Sequence, residues 1–372
     1  MSESVLLVES PSDCQVRPLG LMKLSTWHKR QGRDVRYQRG YNFTIEGDAD
    51  FVEIASPDFT WEVPEAISCI LYYKRKFPHA KMRVGGTTAS DNPKYFSQKT
   101  GIEPTIGILR DVDLCAPDYS LFPEMDYSLL YTSRGCSMGC SFCRIGTAVR
   151  PRGQEGAVVY SIPTWKEHID LKRKRVVIQD NNLFGAKKEH LSEVIDFLKQ
   201  HKLSVDFNSG FEVHQAREAV FEEMQGLKIR PVRTAFDEIG EEKEAERTVA
   251  WIKQYLNPPS HSIMVYVLYN FTDTPEDALY RCLKVLEWGA CPYVMPYYPL
   301  SDWYSEDYKV SSHWTLQQIM RFRRFFDRHW IVFNVWAKKG TITLEDIFGT
   351  VTTPQLEQTF LVGPRLLGES IT

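Results

Sequence analysis

Apolar residues in the first third of this chain form short continuous runs that alternate with amphipathic stretches. The runs read SVLLVE at residues 4–9, FVEIA at 51–55 and KMRVGG at 81–86, and a helical pattern spans about Pro64 to Phe77. Continuous runs of this length are typical of strands that are buried on both faces of a parallel sheet. Strands and helices in this order predict a small doubly wound α/β domain over residues 1–115.

The same alternation returns after a proline-containing linker and continues to residue 300. The predicted strands are 127–131, 175–184, 203–210, 231–239, 262–270 and 291–300, and the predicted helices are 163–173, 186–201, 213–226, 241–255 and 275–288. Six strand–helix units predict a barrel over residues 126–300, whose active site lies at the carboxyl ends of the strands. Residues 301–372 lose the alternation, and we expect a helical C-terminal extension there.

Composition narrows the class of protein. The chain has 372 residues, a formal net charge of −3, 43% hydrophobic and 25% charged residues, which are ordinary values for a globular protein of about two domains. The N-terminus has no basic segment, and no apolar run approaches the roughly 18 residues of a membrane span. These features predict a cytoplasmic protein with no membrane partner and no general attraction to nucleic acid.

Three cysteines lie directly after the strand predicted at 127–131. Cys136, Cys140 and Cys143 have the spacing C-x3-C-x2-C, and Gly135 and Gly139 allow the backbone to curl so that three sulfurs converge. Thiolates suit a soft metal centre, and a cuboidal iron–sulfur cluster normally takes four protein ligands. Three ligands leave one iron open to a small chelating molecule.

Other readings of the three cysteines are weaker. A structural zinc site requires a fourth Cys or His, and none follows before His168. A disulfide would leave an odd thiol, and nothing else in the sequence indicates an oxidising compartment. Coincidental spacing is the remaining alternative.

Together with Phe142, the cysteine motif resembles the signature of the radical S-adenosylmethionine (SAM) enzymes. The resemblance implies a partial (β/α)6 barrel of the TIM type and a 4Fe-4S cluster whose open iron binds the amino and carboxylate groups of SAM. It also implies that one electron cleaves SAM to methionine and a 5'-deoxyadenosyl radical, which abstracts hydrogen from a substrate. The electron would come from a donor such as flavodoxin or ferredoxin.

The N-terminal region resembles the Rossmann-like, cobalamin-binding-type domain that precedes many radical SAM cores. The likeness rests on the segments PLGLMKLSTWHKRQGRDV, VGGTTASDNP and APDYSLFP. Families that bind cobalamin through histidine carry D-x-H-x-x-G after the first strand, whereas this loop reads SPSDCQVRP. His28 lies inside a predicted helix, where we expect it to pack or to face solvent. We therefore expect a vestigial or repurposed domain, with cobalamin as the less favoured cofactor.

Methylthiotransferases offer a second comparison, because their N-terminal domain supplies three cysteines to an auxiliary cluster. Cys14, Cys69 and Cys115 lie in the corresponding part of this chain. However, Cys69 falls in the middle of a predicted helix, where a buried cysteine acts as a small hydrophobe. An auxiliary cluster is therefore not clearly indicated.

The strand ends supply the candidate SAM and substrate contacts. By resemblance, the turn at Asp180, Asn181 and Asn182 replaces the family's Gly-Gly-Glu-like turn and would hold the SAM ammonium group. The remaining candidates are Asn208, Ser209 and Glu212 for ribose and substrate, Arg233 for the SAM carboxylate, Asp237 for the ribose hydroxyls, Tyr269 and Asn270 for the adenosyl group, and Met295, Pro296, Tyr297 and Tyr298 for the pocket wall. Thr274 is expected to cap the helix that starts at Pro275. In the structural alternative, Asp180 and Asp237 cap helices and the tyrosines pack.

Two basic segments are ambiguous. Arg144, Arg150 and Arg152 could bind an anionic substrate or flank a solvated loop. The stretch from His313 to Gly340 interleaves aromatic residues with Arg321, Arg323, Arg324, Arg328, Lys338 and Lys339. It is compatible with nucleic-acid binding, but we favour a helix that closes the bottom of the barrel.

The leading hypothesis is thus a radical SAM enzyme that acts on an unidentified small molecule, nucleotide, nucleic acid or peptide. Two alternatives remain open. One is a methyltransferase or methylthiotransferase that modifies nucleic acid or protein. The other is a non-catalytic metal-binding scaffold.

Overall fold

The computed structural model describes residues 2–12, 14, 16–143, 159–297, 311–328, 332, 335–336 and 338–349. The strands are β1 (Ser4–Glu9), β2 (Asp34–Arg39), β3 (Phe51–Ala55), β4 (Lys81–Gly85), β5 (Tyr127–Leu130), β6 (Ser133–Arg134), β7 (Tyr160–Ser161), β8 (Arg175–Ile178), β9 (Ser204–Phe207), β10 (Lys228–Ile229), β11 (Val232–Ala235), β12 (Ile263–Tyr269) and β13 (Cys291–Pro296). The α-helices are α1 (Leu19–Arg30), α2 (Val63–Lys76), α3 (Thr87–Asp91), α4 (Pro93–Thr100), α5 (Arg110–Asp113), α6 (Lys188–Gln200), α7 (Glu218–Glu223), α8 (Glu242–Trp251), α9 (Pro275–Glu287), α10 (Leu316–Phe326) and α11 (Leu344–Phe348).

The first sheet is parallel, with the strand order β2-β1-β3-β4. Its central strand β1 is buried on both faces. Leu6 and Val8 pack in a cluster with residues of α2, whereas Val5 and Leu7 pack against Leu21 of α1. Helices on both faces of a parallel sheet define the expected doubly wound arrangement.

The second unit contains two parallel sheets, with the strand orders β10-β9-β8-β5 and β11-β12-β13. Hydrogen bonds from Phe211 to Arg233 and from Thr234 to Phe211 join its two sheets. Along β12, Val265 and Val267 are fully buried in the cluster shared with the outer helices, and the residues that alternate with them are half-buried. This alternation fits an open barrel with a helical outer layer. The expected fold class is therefore confirmed.

One predicted barrel helix does not form. The segment at 163–173 contains only a single turn at Trp165–His168. The side chain of Asp170 accepts a hydrogen bond from the backbone N–H of Lys172, and Ser128 exchanges hydrogen bonds with the backbone of Asp170. Such local side-chain bonds compete with the helical hydrogen-bond ladder.

The basic and aromatic helix α10 flanks the barrel. Ile319, Phe322 and Phe326 are buried in the core of the second unit, and Tyr269 of β12 donates to the backbone oxygen of Ile319. The helix therefore packs beside the last strands instead of crossing the bottom of the barrel. No helix in the described ranges is both long enough and apolar enough to span a bilayer.

A mixed apolar and ionic contact joins the two units. Leu19 and Met22 of α1 pack in one cluster with Leu129 of β5 and Val177 of β8. Beside this cluster, the buried Lys23 ammonium group lies 2.7 Å from the Asp113 carboxylate. Arg134 Nη2 lies 2.8 Å from the same carboxylate. Arg134 directly precedes residues 135–143, which carry the three cysteines and are called the cysteine loop below. Asp113 thus connects the N-terminal unit to the cysteine loop.

We expect Asp113→Ala to lower the free energy of unfolding by about 3–5 kcal/mol, because it removes the carboxylate that faces both the Lys23 and Arg134 cations in a buried interface. Burial by itself raises the pKa of Asp113, but Arg134 and Lys23 outweigh burial and hold the pKa at about 2. The stabilisation should therefore be complete above about pH 4 and disappear as the pH falls through about 2. Urea unfolding at several pH values measures both effects. Asp111→Ala, an exposed change on the same helix, should change stability by less than about 0.5 kcal/mol.

Candidate active site

The cysteine loop leaves the carboxyl end of β5 through the short strand β6. Gly135 and Gly139 have φ angles of 92° and 65°, which L-residues rarely adopt, and the Cys143 N–H donates to the Cys140 carbonyl at 3.0 Å. All three thiols are half-buried. The predicted turns on either side of Cys136 are therefore present at the end of the barrel where the active site is expected.

Asp180, at the carboxyl end of β8, holds the start of this loop. Its carboxylate accepts four hydrogen bonds, from the backbone N–H and the hydroxyl of both Thr132 and Ser133, at 2.5–2.8 Å. The side chain is buried, and burial raises the pKa of Asp180 to about 6 against the opposing effect of these bonds. The contacts give Asp180 a supporting role in place of the predicted bond to the SAM ammonium group.

The next two residues continue the contact with the loop. Asn181 Oδ1 accepts from the Gly135 N–H at 3.1 Å, and Asn182 Nδ2 lies 3.5 Å from Cys136 Sγ. The loop after β9 adds Gln215, which accepts from Asn182 at 2.7 Å. Sequence reasoning did not identify Gln215, because no strand-end rule predicts a contact 33 residues away.

The three thiols influence one another electrostatically. Burial raises the pKa of Cys140 to about 12, and Cys143, Cys136, Glu212 and Asp237 add to the increase. Within the described ranges, no three His, Cys, Asp or Glu side chains come close enough to hold a single ion. Sulfurs that bind different irons of one cluster stay farther apart than ligands of a single ion. Three neighbouring half-buried thiols on a curled loop therefore fit a cluster as a donor set.

Aromatic side chains line one side of the loop. The ring centroids of Phe142 and Phe271 are 5.9 Å apart, and those of Phe271 and Tyr297 are 4.6 Å apart. All three side chains are half-buried. Phe271 was not among the predicted site residues, although it directly follows the predicted Asn270. The predicted residues Tyr298, Arg144, Arg150 and Arg152 lie outside the described residues.

The two residues predicted to contact the adenosyl group, Tyr269 and Asn270, have other partners in the structure. Tyr269 is fully buried and packs on Trp314 and Phe322, so it belongs to the outer core. Asn270 has a left-handed φ of 64°, donates to the Tyr297 carbonyl and accepts from the Ser311 N–H. Its amide therefore fixes the loops around the barrel mouth instead of facing a ligand.

Arg233 also has a different partner from the one predicted. Its guanidinium forms an ion pair with the buried carboxylate of Asp206 on β9. The Asp206 carboxylate therefore neutralises the positive charge of Arg233, which we had predicted to bind the SAM carboxylate. Arg233 precedes Asp237 by four residues and lies within β11, before the strand end, which explains why it pairs with the neighbouring strand β9.

Asp237 and Glu212 are the acidic residues near the cysteines. Asp237 Oδ1 accepts from the Leu268 N–H at 2.9 Å, and burial, followed by the charge of Glu241, raises the pKa of Asp237 to about 7. Burial also raises the pKa of Glu212. Both carboxyl groups are therefore near the loop, and a cationic ligand beside either of them would lower its pKa.

The other predicted residues have the following surroundings. Asn208 is half-buried and Ser209 is exposed after β9, Met295 is 45% exposed, and Pro296 is half-buried at the end of β13. Thr274 accepts from the Asp277 N–H and caps α9 as predicted.

A cavity of about 530 Å³ lies between the N-terminal unit and the cysteine loop. Its lining includes residues at the carboxyl ends of β3, β4 and β8, together with Arg134. Crevices at strand carboxyl ends are the usual ligand sites of doubly wound sheets, so the cavity fits an organic cofactor. His28 is not available to such a ligand, because it is fully buried and its ring nitrogens lie 3.2 Å from Glu53 and 3.1 Å from Arg33. It packs, which was one of the two expected outcomes.

The cysteines considered for an auxiliary cluster lie in different surroundings. Cys69 is fully buried in α2, and Cys115 is buried beside Arg30 after α5. Cys14 is half-buried in the loop after β1. Burial raises the pKa of all three thiols. The auxiliary cluster therefore gains no support from the described residues.

No protein-family model and no curated protein sequence matches the chain. Two of the solved structures that are similar in fold are the following. One is the radical SAM methyltransferase TsrM from Kitasatospora setae, with cobalamin and a [4Fe-4S] cluster bound, at a TM-score of 0.60 and 14% identity over 80% of this chain and 72% of TsrM. The other is the cobalamin-dependent SAM radical enzyme OxsB with aqua-cobalamin bound, at a TM-score of 0.52 and 10% identity over 88% of this chain and 56% of OxsB. The chain thus spans little more than half the length of OxsB.

These similarities extend over 80% and 88% of this chain. At 10–14% identity they establish the fold and leave the chemistry to the residues of this chain. The predicted resemblance to radical SAM proteins of the cobalamin type is therefore confirmed for the fold: a Rossmann-like domain followed by a partial TIM-type barrel.

Proposed function

We propose that this chain is a radical SAM enzyme in which Cys136, Cys140 and Cys143 hold a 4Fe-4S cluster. The observation that carries the proposal is the position of the cysteine loop, at the carboxyl end of the first barrel strand and fixed by the turn after the second. When bound, the cluster supplies the electron that cleaves SAM reductively.

The residues of the barrel mouth would bind and orient SAM. Phe142, Phe271 and Tyr297 offer aromatic surface for the adenine and exclude water from the reacting centre. Glu212 and Asp237 complement the positive charge of the ammonium and sulfonium groups. Asn208 remains the proposed ribose contact.

The surroundings of the enzyme are also part of the proposal. An electron donor such as flavodoxin or ferredoxin would reduce the cluster, and a reducing cytoplasm would suit it. We also propose the domain boundaries 1–115, 126–300 and 301–372.

A non-catalytic metal-binding scaffold is the competing function, and a colourless protein that binds one zinc would support it.

Cobalamin-dependent methyl transfer is a second candidate function. The cavity of about 530 Å³ beside Arg134 favours it, because TsrM and OxsB are cobalamin-dependent or cobalamin-bound enzymes of the same fold. The cavity would hold the cofactor near the cluster. The lack of a cobalt-binding histidine in the first loop does not exclude a cobalamin held by its periphery. Methylthiolation has no comparable support.

The first prediction from the proposed function concerns the cysteines. Anaerobically reconstituted protein should be brown, contain about four irons per chain and release 5'-deoxyadenosine from SAM with dithionite. Cys140→Ala should lose most of the iron and all of the nucleoside product. Cys291→Ala, a buried change in β13 outside the loop, should retain both. An unchanged iron content and an unchanged yield of 5'-deoxyadenosine in Cys140→Ala would contradict the proposal.

The second prediction concerns the aromatic residues. Phe271→Ala should weaken SAM binding to the reconstituted protein about 2- to 10-fold, because edge-to-face aromatic contacts contribute about 0.5–1.5 kcal/mol. Isothermal titration calorimetry measures the Kd for SAM. Phe43→Ala, at a phenylalanine that is 77% exposed on the N-terminal unit, should leave it unchanged. Equal Kd values for both variants would exclude Phe271 from the SAM site.

The third prediction tests the second candidate function. Added cobalamin should remain with the protein through gel filtration and alter its absorption spectrum. Thr87→Trp, which places a large side chain at the cavity, should abolish retention, whereas Thr44→Trp at an exposed loop should not. Wild-type protein that retains no cobalamin would rule out this candidate while leaving the radical SAM proposal intact.

A further inference from the structure

Asn182 presents an amide N–H to a cysteine of the loop. Its Nδ2 lies 3.5 Å from Cys136 Sγ and 2.7 Å from Gln215 Oε1, and its Oδ1 accepts from the Gly185 backbone N–H at 3.0 Å. A backbone N–H can only donate, so the atom facing Gly185 must be the amide oxygen. The amide therefore faces Cys136 with its NH2 group.

Gln215 locks this orientation from the other side. Its Oε1 accepts from Asn182, and its Nε2 donates to Ser137 Oγ at 3.0 Å. The site is also tightly packed, because a Cβ added to Gly185 would lie 2.8 Å from Gln215 Oε1 and 3.1 Å from Asn182 Nδ2. Asn182 itself is only 4% exposed. The Asn182 and Gln215 side chains therefore have little room to adopt other conformations.

The neighbouring Asn181 has the opposite role. Its Oδ1 accepts a hydrogen bond from the Gly135 N–H at 3.1 Å. Asn181 therefore contacts the loop as an acceptor at the backbone, whereas Asn182 contacts it as a donor at the sulfur. Two adjacent asparagines with different contacts provide a matched pair for an experiment.

On the basis of the proposed function, we infer that Asn182 is a positioning residue that sets the reduction potential of the cluster through an N–H···S hydrogen bond to Cys136. Reduction adds negative charge to an iron–sulfur cluster and its sulfur ligands. A hydrogen-bond donor at a ligand sulfur stabilises that charge and raises the potential. Gln215 acts indirectly, by keeping the donor aimed at the sulfur.

The test compares Asn182→Leu with Asn181→Leu in the full-length reconstituted protein without SAM. Both changes replace an asparagine by a side chain of similar size, but only the first removes a donor to sulfur. Mediated redox titrations, followed by the EPR signal of the reduced cluster, measure the midpoint potential. We expect a more negative potential in Asn182→Leu than in wild type and in Asn181→Leu. Gln215→Leu should shift the potential in the same direction by a smaller amount.

Each outcome decides the inference. Equal potentials in Asn182→Leu and Asn181→Leu would overturn it. If Asn182→Leu does not retain iron, Gln215→Leu decides, because it keeps Asn182 but removes the hydrogen bond that holds the Asn182 amide towards Cys136 Sγ, and an unshifted potential there would also overturn the inference. A wild-type protein that forms no cluster would instead overturn the proposed function on which the inference rests.

Discussion

The buried carboxylate of Asp180 is the contact on which the candidate site depends. An ionised carboxylate without partners would be strongly destabilising in the barrel wall, so Asp180 requires the four hydrogen bonds that Thr132 and Ser133 supply. Those bonds fix the chain two residues before the cysteine loop starts. The position of Cys136 is therefore set by the packing of β5 against β8, before any metal binds.

The short segment from Thr132 to Cys136 is held from two directions. Thr132 and Ser133 bind the turn after β8, whereas the Arg134 side chain turns outward to Asp113 and lies 3.4 Å over the ring of Tyr131. Arg134 thus adds a charged contact to the apolar packing of Leu19 and Met22 against the second unit. The cavity of the N-terminal unit and the segment before Cys136 share the Arg134 side chain, which gives them a direct physical connection.

The sequence predicted the architecture better than it predicted the site. Continuous apolar runs identified the strands of both sheets, because strands buried on two faces need apolar residues throughout. The rule that active-site residues lie at the carboxyl ends of barrel strands predicted where residues lie along the barrel axis. It did not predict which side chains they contact. It could not show that Arg233 pairs with Asp206, 27 residues away, or that Phe271 contacts Phe142. A non-glycine residue with left-handed backbone, such as Asn270, turns the chain in a way that no hydropathy pattern reports.

The electrostatics of the barrel mouth favour a cationic ligand. Asp206 already compensates the charge of Arg233, so that guanidinium offers little attraction to an anion. Burial raises the pKa of Asp237 to about 7, which leaves this group only partly ionised near neutral pH. A bound cation would lower that pKa again, and the carboxyl group would gain charge as the ligand arrives. A positive charge placed beside Asp237 would therefore add to the effect of Arg281, which already lowers the pKa of this carboxyl group.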